Sequence, residues 1–200
     1  MWRLTISQLG CDKPTFSMDP SGKLVIYTKN QEVLLANVQT LQDDTTLEGT
    51  CIPISIKEMG STEIFTTLLI HSPNGCFVTI VGDGEYIIYT MLAWCKKSFG
   101  NGVSFAWNNN LNTYTVLENH IKLRLHKNFK ERGGARMKGA GSWTIEGLYV
   151  GPLLCATVTV FVLFWDWESG KIVMRIDVEA KNVGLVFLSM LLSTNSPLAG

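Results

Sequence analysis

Short runs of apolar and β-branched residues recur along the chain, and groups of turn-forming residues separate them. The clearest turns are Asp19-Pro20-Ser21-Gly22, Ser72-Pro73-Asn74-Gly75 and Gly82-Asp83-Gly84, each followed by a run that reads as a strand. Turns rich in Pro, Asn, Asp and Gly between such runs are typical of β-hairpins. No stretch shows sustained helical periodicity, so the pattern predicts an all-β fold.

The turns also recur at intervals that indicate a repeat. A fourth turn, at Asn108-Asn109-Asn110, lies between two further apolar runs, and residues 121–125 alternate apolar and basic side chains as a half-exposed strand does. The turns near Pro20, Pro73 and Asn109 lie 53 and 36 residues apart. These intervals bracket the roughly 40 to 45 residues of a WD-type repeat.

The segment Phe164–Lys171 predicts what the repeat builds. A Trp-Asp pair closes an apolar run, a tight turn with Gly170 follows, and residues 172–176 alternate again. This sequence of features is typical of the end of a propeller blade, and blades bury their faces only by stacking on one another. We therefore predict a partial β-propeller of about four WD-like blades.

A long uncharged stretch raises the alternative of a membrane-spanning helix. Residues 147–165 contain no charged side chain over 19 positions, which is close to the length of a transmembrane helix. A single-span membrane-anchored protein is thus the first alternative. The Gly151-Pro152 pair and the many β-branched residues favour successive buried strands instead.

Composition narrows the function classes. The chain has 46% hydrophobic and 17% charged residues, with 17 basic and 17 acidic side chains. Zero net charge gives no overall attraction to nucleic acid. The five cysteines, an odd and scattered set, predict reduced buried thiols and no disulfide framework. The sequence starts without a secretory signal pattern, so we expect a cytoplasmic protein.

No constellation of catalytic or ligand-binding residues is apparent. The histidines His71, His120 and His126 have no nucleophile in a recognisable signature nearby, and His71 is expected to belong to a turn and to form structural hydrogen bonds. The stretch Gly133–Gly141 is glycine-rich but lacks a P-loop ending, so we expect a mobile loop there. We predict no enzyme activity, no catalytic, cofactor-binding or metal-binding residues, no cofactor and no small-molecule substrate.

Two groups of charged residues and the tryptophans are further candidates for binding. Residues 122–138 hold seven Lys or Arg side chains against Glu131 alone, a local basic patch that is either solvated or contacts an acidic partner. Asp43, Asp44 and Glu48 lack the pattern of a calcium loop and are read as a loop between blades. Most of the six tryptophans are expected in the blade cores, with no base-stacking pattern for nucleic acid.

Several separated strings resemble one family. They include residues 17–23, Ser72–Gly75 and Gly82–Thr90, and the likeness continues through residues 92–94, 97–100, 105–107, 127–131 and 165–167. Together they resemble the coatomer β′ family at its second WD-repeat propeller, over roughly residues 8 to 182. The resemblance implies a structural component of the COPI coat that acts in Golgi-to-ER retrograde, ER–Golgi and intra-Golgi vesicle transport. It also implies other coatomer subunits as partners, and a cytoplasmic location on Golgi membranes and coated vesicles.

The departures from the family pattern are as informative. The cargo-recognising amino-terminal propeller and the helical solenoid have no counterpart here, so no cargo-binding residue is assigned. Residues 156–159 lack the Gly, Asn or Asp expected at a turn. We expect residues 1–182 to form an incomplete second propeller and residues 183–200 to be a divergent apolar tail, in a divergent or truncated member. A WD-repeat adaptor of another complex is the second alternative.

Overall fold

The computed structural model describes residues 15–38, 54–109, 112–136 and 143–179, and these form sixteen strands. The chain divides into two compact units, Met1–Asn101 and Gly102–Gly200. Each unit contains two four-stranded antiparallel sheets, and every sheet consists of four strands that follow one another in the sequence. The predicted all-β fold with about four WD-like blades is confirmed.

The first unit contains sheets 1 and 2. Sheet 1 consists of β1 (Phe16–Met18), β2 (Leu24–Lys29), β3 (Glu32–Asn37) and β4 (Ser55–Ser61). Sheet 2 consists of β5 (Leu68–His71), β6 (Phe77–Gly82), β7 (Glu85–Thr90) and β8 (Lys96–Asn101). The first strands of the two sheets, β1 and β5, contact each other. Side chains from both sheets form one core that includes Ile26, Val33, Leu69, Ile80 and Ile87.

The second unit contains sheets 3 and 4. Sheet 3 consists of β9 (Ser104–Trp107), β10 (Thr113–Glu118), β11 (Lys122–Lys127) and β12 (Lys130–Arg136). Sheet 4 consists of β13 (Gly147–Val150), β14 (Leu154–Val158), β15 (Phe161–Trp165) and β16 (Ile172–Ile176). Here too the first strands, β9 and β13, contact each other. Leu117, Leu123, Leu154, Leu163 and Trp165 belong to the shared core.

The predicted turns that open at Asp19, Ser72 and Asn108 occupy the same place in their sheets, between the first and second strands. The backbone N–H of the residue that opens each turn donates to the carbonyl five positions later. The pairs are Asp19 to Leu24, at 2.9 Å, Ser72 to Phe77, at 2.8 Å, and Asn108 to Thr113, at 2.9 Å. The repeat inferred from the sequence is therefore a repeat of backbone geometry.

Asp19 holds the first of these turns together. Its carboxylate accepts hydrogen bonds from the backbone N–H groups of Lys23 (2.8 Å) and Leu24 (2.7 Å), and from Ser21. Partial burial acts to raise the pKa of Asp19, but the hydrogen bonds from Ser21, Leu24 and Lys23 outweigh it and lower the pKa to about 2. The ionised carboxylate thus stabilises the folded turn.

We expect the Asp19→Asn variant to be less stable than the natural chain at neutral pH, and this difference in stability to disappear in acid. Because the folded-state pKa lies below the ordinary value of 3.8, Asp19 contributes stability above pH 3.8 and loses it as the pH falls towards about 2. Urea midpoints of the natural chain and the variant should therefore differ at neutral pH and converge in acid. A difference that stays constant over this range would contradict the role given to the ionised carboxylate.

The uncharged stretch 147–165 forms β13, β14 and β15, in agreement with the prediction of buried strands. Alternate side chains of β15 are buried on opposite faces: Leu163 and Trp165 in the shared core, Val162 and Phe164 against β14 and β16. Burial on both faces explains why the run is continuously apolar instead of alternating. No helix among the described residues has the length and apolar character needed to span a bilayer.

Three expectations need correction. Residues 156–159 lie in β14 and in a tight turn at Thr159 and Val160 that closes the β14–β15 hairpin without Gly, Asn or Asp. The Thr159 hydroxyl donates to Glu146 at 2.8 Å and fixes this turn from outside. Residues 133–136 belong to β12, whose pairing register with β11 shifts between Arg124 and His126, and they are not a loop. Residues 137–141 of that stretch lie outside the described residues.

The cysteines also differ from the expectation that all five are buried. Cys76, Cys95 and Cys155 are free thiols, as predicted, but only Cys155 is buried. Burial raises the pKa of Cys155 to about 12. Cys76 and Cys95 are exposed because each lies in the connection between two strands. Cys11 and Cys51 lie outside the described residues, as do Asp43, Asp44, Glu48 and the predicted tail 183–200.

Candidate protein-contact surface

The fourth strands of three sheets form exposed edges. β4, β8 and β16 each pair with one neighbour in their sheet, and most of their side chains are exposed. These edges carry large apolar side chains: Phe99 is 74% exposed, Ile56 59% and Val173 56%. Exposed strand edges with apolar side chains are sites at which proteins pair with other chains.

An apolar cleft lies in the first unit, between sheets 1 and 2. Its volume is about 590 Å³, which falls in the range of ligand-binding pockets. Sheet 1 contributes residues from β2, β3 and β4, and sheet 2 contributes the ends of β6 and β7 with the residues beside them. The residues that line the cleft include Leu24, Leu35, Met59, Phe77, Met91 and Lys57.

The rim of the cleft carries two further exposed groups. Leu92 follows β7 and is 100% exposed, which is unusual for a leucine beside an apolar surface. The thiol of Cys76 also lines the cleft and is exposed. The cleft is thus an apolar concave surface that is accessible to other molecules and contains one positive charge, that of Lys57.

His71 has the structural role expected for it, although it ends β5 and does not lie in the turn. Its backbone N–H donates to the Ser17 hydroxyl at 3.0 Å, and its ring Nδ1 lies 3.0 Å from the same oxygen. Burial lowers the pKa of His71, and the charge of Asp19 opposes that effect only partly. The His71 ring is therefore largely neutral and hydrogen-bonded between β1 and β5. This structural role accounts for a histidine at this position without a catalytic function.

We expect Ser17→Ala to destabilise the first unit by about 1–2 kcal/mol, because it leaves the His71 N–H without its acceptor in a buried place. Urea unfolding followed by circular dichroism measures the loss. Ser17→Thr keeps the hydroxyl and should cost less. An alanine variant as stable as the natural chain would show that this bond does not link the two sheets.

The other histidines are equally structural. His126 is buried on β11, where its ring stacks on Tyr114 at 4.7 Å, and burial lowers its pKa. His120 lies in the β10–β11 turn with its Nδ1 3.4 Å from the carbonyl of Ile145. Among the described residues, no group of three or more His, Cys, Asp or Glu side chains could hold a metal ion.

The basic patch is partly neutralised by neighbouring carboxylates. Glu118 lies 3.0 Å from both Lys122 and Arg124, and Arg124 also pairs with Glu131 at 2.9 Å. The hydrogen bond from Lys122 is the main cause that lowers the pKa of Glu118, with a further contribution from Arg124. Glu118 precedes the basic stretch 122–138 in the sequence, and the hairpin brings it opposite Lys122.

Three tryptophans confirm the prediction of a core role. Trp107, Trp165 and Trp167 are buried, and the Trp167 indole donates to the carbonyl of Gly151 at 3.2 Å. Trp94 and Trp143 are half-buried beside the cores of the first and second unit. Trp2 lies outside the described residues.

Comparison with known proteins assigns the chain to a family. Residues 30–185 match the family described as the COPA/B second beta-propeller. Probable coatomer subunit beta′ of Schizosaccharomyces pombe is 39% identical over 176 residues, 88% of this chain and 22% of that protein. Coatomer subunit beta′ of Rattus norvegicus is 37% identical over 178 residues, 89% of this chain and 19% of that protein.

A solved structure supports the fold alone. A chain in the crystal structure of the mitotic checkpoint complex has a TM-score of 0.60 and 16% identity, over 82% of this chain and 49% of that one. The present chain spans about a fifth of the length of the curated relatives it matches. The four consecutive four-stranded sheets are the architecture of propeller blades, and they agree with the family match over residues 30–185. The chain belongs to the COPA/B second beta-propeller family.

Proposed function

We propose that the chain is a non-catalytic structural component of the COPI vesicle coat, in which its propeller blades contact other coatomer subunits. The role is protein transport between the Golgi and the endoplasmic reticulum and within the Golgi. Its place is the cytoplasmic side of Golgi membranes and coated vesicles, which it reaches through the coat. The observation that carries the proposal is the identity of 37–39% to coatomer beta′ proteins over nearly nine tenths of the chain.

The fold favours a role in protein contacts. Three of the sheets present exposed edge strands, and an apolar cleft lies between sheets 1 and 2, which are features of protein-binding surfaces. The described histidines are held by structural contacts, and the described carboxylates with lowered pKa values are paired within turns or hairpins. Such groups stabilise a scaffold and do not converge on a reaction centre.

The proposal is tested by association with coatomer. The full chain, tagged and purified, is incubated with cytosol, and the captured proteins are identified by mass spectrometry. We expect coatomer subunits to be recovered with the folded chain and lost with Trp165→Ala, which disrupts the core. A folded chain that captures none of them would overturn the coat role, and recovery of one different complex would favour the alternative of a WD-repeat adaptor.

We also propose that residues 183–200 lie outside the propeller module. The apolar sequence of this tail departs from the blade pattern after Asn182. A chain ending at residue 182 should therefore unfold at the same urea concentration as the full chain. A clearly lower midpoint for the shorter chain would show that the tail contributes to the module.

A further inference from the structure

We propose that the cleft between sheets 1 and 2 binds an extended, acidic peptide segment of a protein partner, with apolar side chains at alternate positions and one carboxylate. The segment pairs with the free edge of β4. Its alternate side chains enter the cleft, and its carboxylate meets Lys57. This inference does not depend on membership of the coat, because it rests only on the first unit.

The shape and chemistry of the cleft define the first requirement. Its walls consist mainly of aliphatic, aromatic and methionine side chains, and about 590 Å³ accommodates several side chains of a ligand. Methionines such as Met59 and Met91 adapt their shape to different apolar partners. Leu92, fully exposed at the rim, would be covered by a bound segment. The occupant must therefore bring apolar side chains.

The free edge of β4 defines the second requirement. β4 is the last strand of sheet 1, and it pairs only with β3 among the described residues. Lys57 and Met59 lie two positions apart on β4, and both line the cleft. A strand added to this edge would direct every second side chain to the same face of the sheet, and thus into the cleft. An extended peptide meets this geometry, whereas a lipid chain has no backbone to pair.

Lys57 defines the third requirement, the charge. Its partner on β3 is Leu35, so the neighbouring strand supplies an apolar side chain beside the ammonium group. Among the described residues of the first unit, an ion pair joins Lys96 to Glu63, and Lys57 has no carboxylate partner. A carboxylate on the occupant would supply the missing counter-charge next to apolar surface, where such a contact is stronger than in open solvent.

The first experiment measures peptide binding to the full chain. The probe is a fluorescent peptide of about eight residues, enough to pair along β4, that alternates leucine and serine with one central leucine replaced by glutamate. We expect Lys57→Glu to raise the Kd about tenfold or more, the factor that corresponds to loss of one charged contact. Lys57→Gln should give a smaller increase. A lysine in place of the peptide's glutamate should restore binding to Lys57→Glu.

Lys29→Glu is the matched control. Lys29 is an exposed lysine on β2 of the same sheet and does not line the cleft, so the same charge change should leave the Kd unaltered. Equal weakening by both variants would mean that the peptide responds to the overall charge of the unit and would overturn the assignment to the cleft.

The second experiment locates the peptide by thiol protection. Cys76 lines the cleft, whereas Cys95 is an exposed thiol of the same unit that does not. We expect bound peptide to slow alkylation of Cys76, read by mass spectrometry, and to leave Cys95 unaffected. Equal protection of both thiols, or of neither despite binding, would overturn the site. A Cys76 that is already unreactive in the free chain would show that the cleft is filled, which also overturns it.

The third experiment tests whether the peptide backbone pairs with β4. Two peptides are methylated on alternate backbone nitrogens, in the two possible registers. We expect one peptide to lose binding because its methyl groups face β4, and the other to retain it. Loss in both registers or in neither would contradict strand addition. Failure of the coat role would leave all three results unchanged, since none of these assays contains coatomer.

Discussion

Replacing Gly82 by alanine is expected to destabilise the first unit by about 3 kcal/mol or more. A Cβ atom at this position would lie 1.7 Å from the carbonyl oxygen of Phe65, far inside contact distance. The backbone around Phe65 is not free to move, because its N–H donates to Asp83 at 2.6 Å and the N–H of Thr67 donates to Val81 at 2.8 Å. Urea unfolding of both chains measures the effect.

Gly84→Ala is the matched control, two residues away in the same turn. Gly84 has a φ of +77°, and an added Cβ would meet nothing within 4 Å. The substitution therefore introduces backbone strain alone, about 1–2 kcal/mol. If Gly82→Ala costs no more than Gly84→Ala, the close approach of the Phe65 carbonyl to β6 would be refuted.

Trp165→Ala is expected to cost about 3–5 kcal/mol in the second unit, the range for removing a buried tryptophan. Trp165 is completely buried and belongs to the core shared by sheets 3 and 4. Its indole N–H has no acceptor among the described residues, unlike that of Trp167. Deleting the side chain leaves a large cavity, which unfolding by urea would report as a lower midpoint.

Trp165→Phe separates packing from hydrogen bonding. The phenyl ring fills most of the space and removes the N–H that lacks a partner, so this variant should retain most of the stability, within about 2 kcal/mol of the natural chain. A phenylalanine variant as unstable as the alanine variant would show that the indole makes a specific contact that the structure does not account for.

Local sequence signals predicted the strands and turns well because these features depend on neighbouring residues. Asp19 and Ser72 open turns through their own side-chain oxygens, and Gly82 to Glu85 close a hairpin with two positive φ angles at Asp83 and Gly84. The chemistry of such turns is contained in about four residues.

Features that depend on distant residues escaped prediction. The turn at Thr159 has no local signature, since Glu146 holds it from another part of the chain. The basic patch was overestimated because hairpin pairing brings Glu118 to Lys122 and Arg124. The cleft was not predicted at all: Leu35 and Phe77 are ordinary strand residues in the sequence, and only the packing of two sheets makes them line one cavity.

The assembly of every sheet from four successive strands also affects how such a fold is inherited. No strand of the described sheets belongs to two sheets, and the four strands of each sheet are consecutive in the sequence. A gene rearrangement with breakpoints in the connections would therefore gain or lose whole blades. Relatives with different numbers of blades can arise this way without leaving a single strand unpaired.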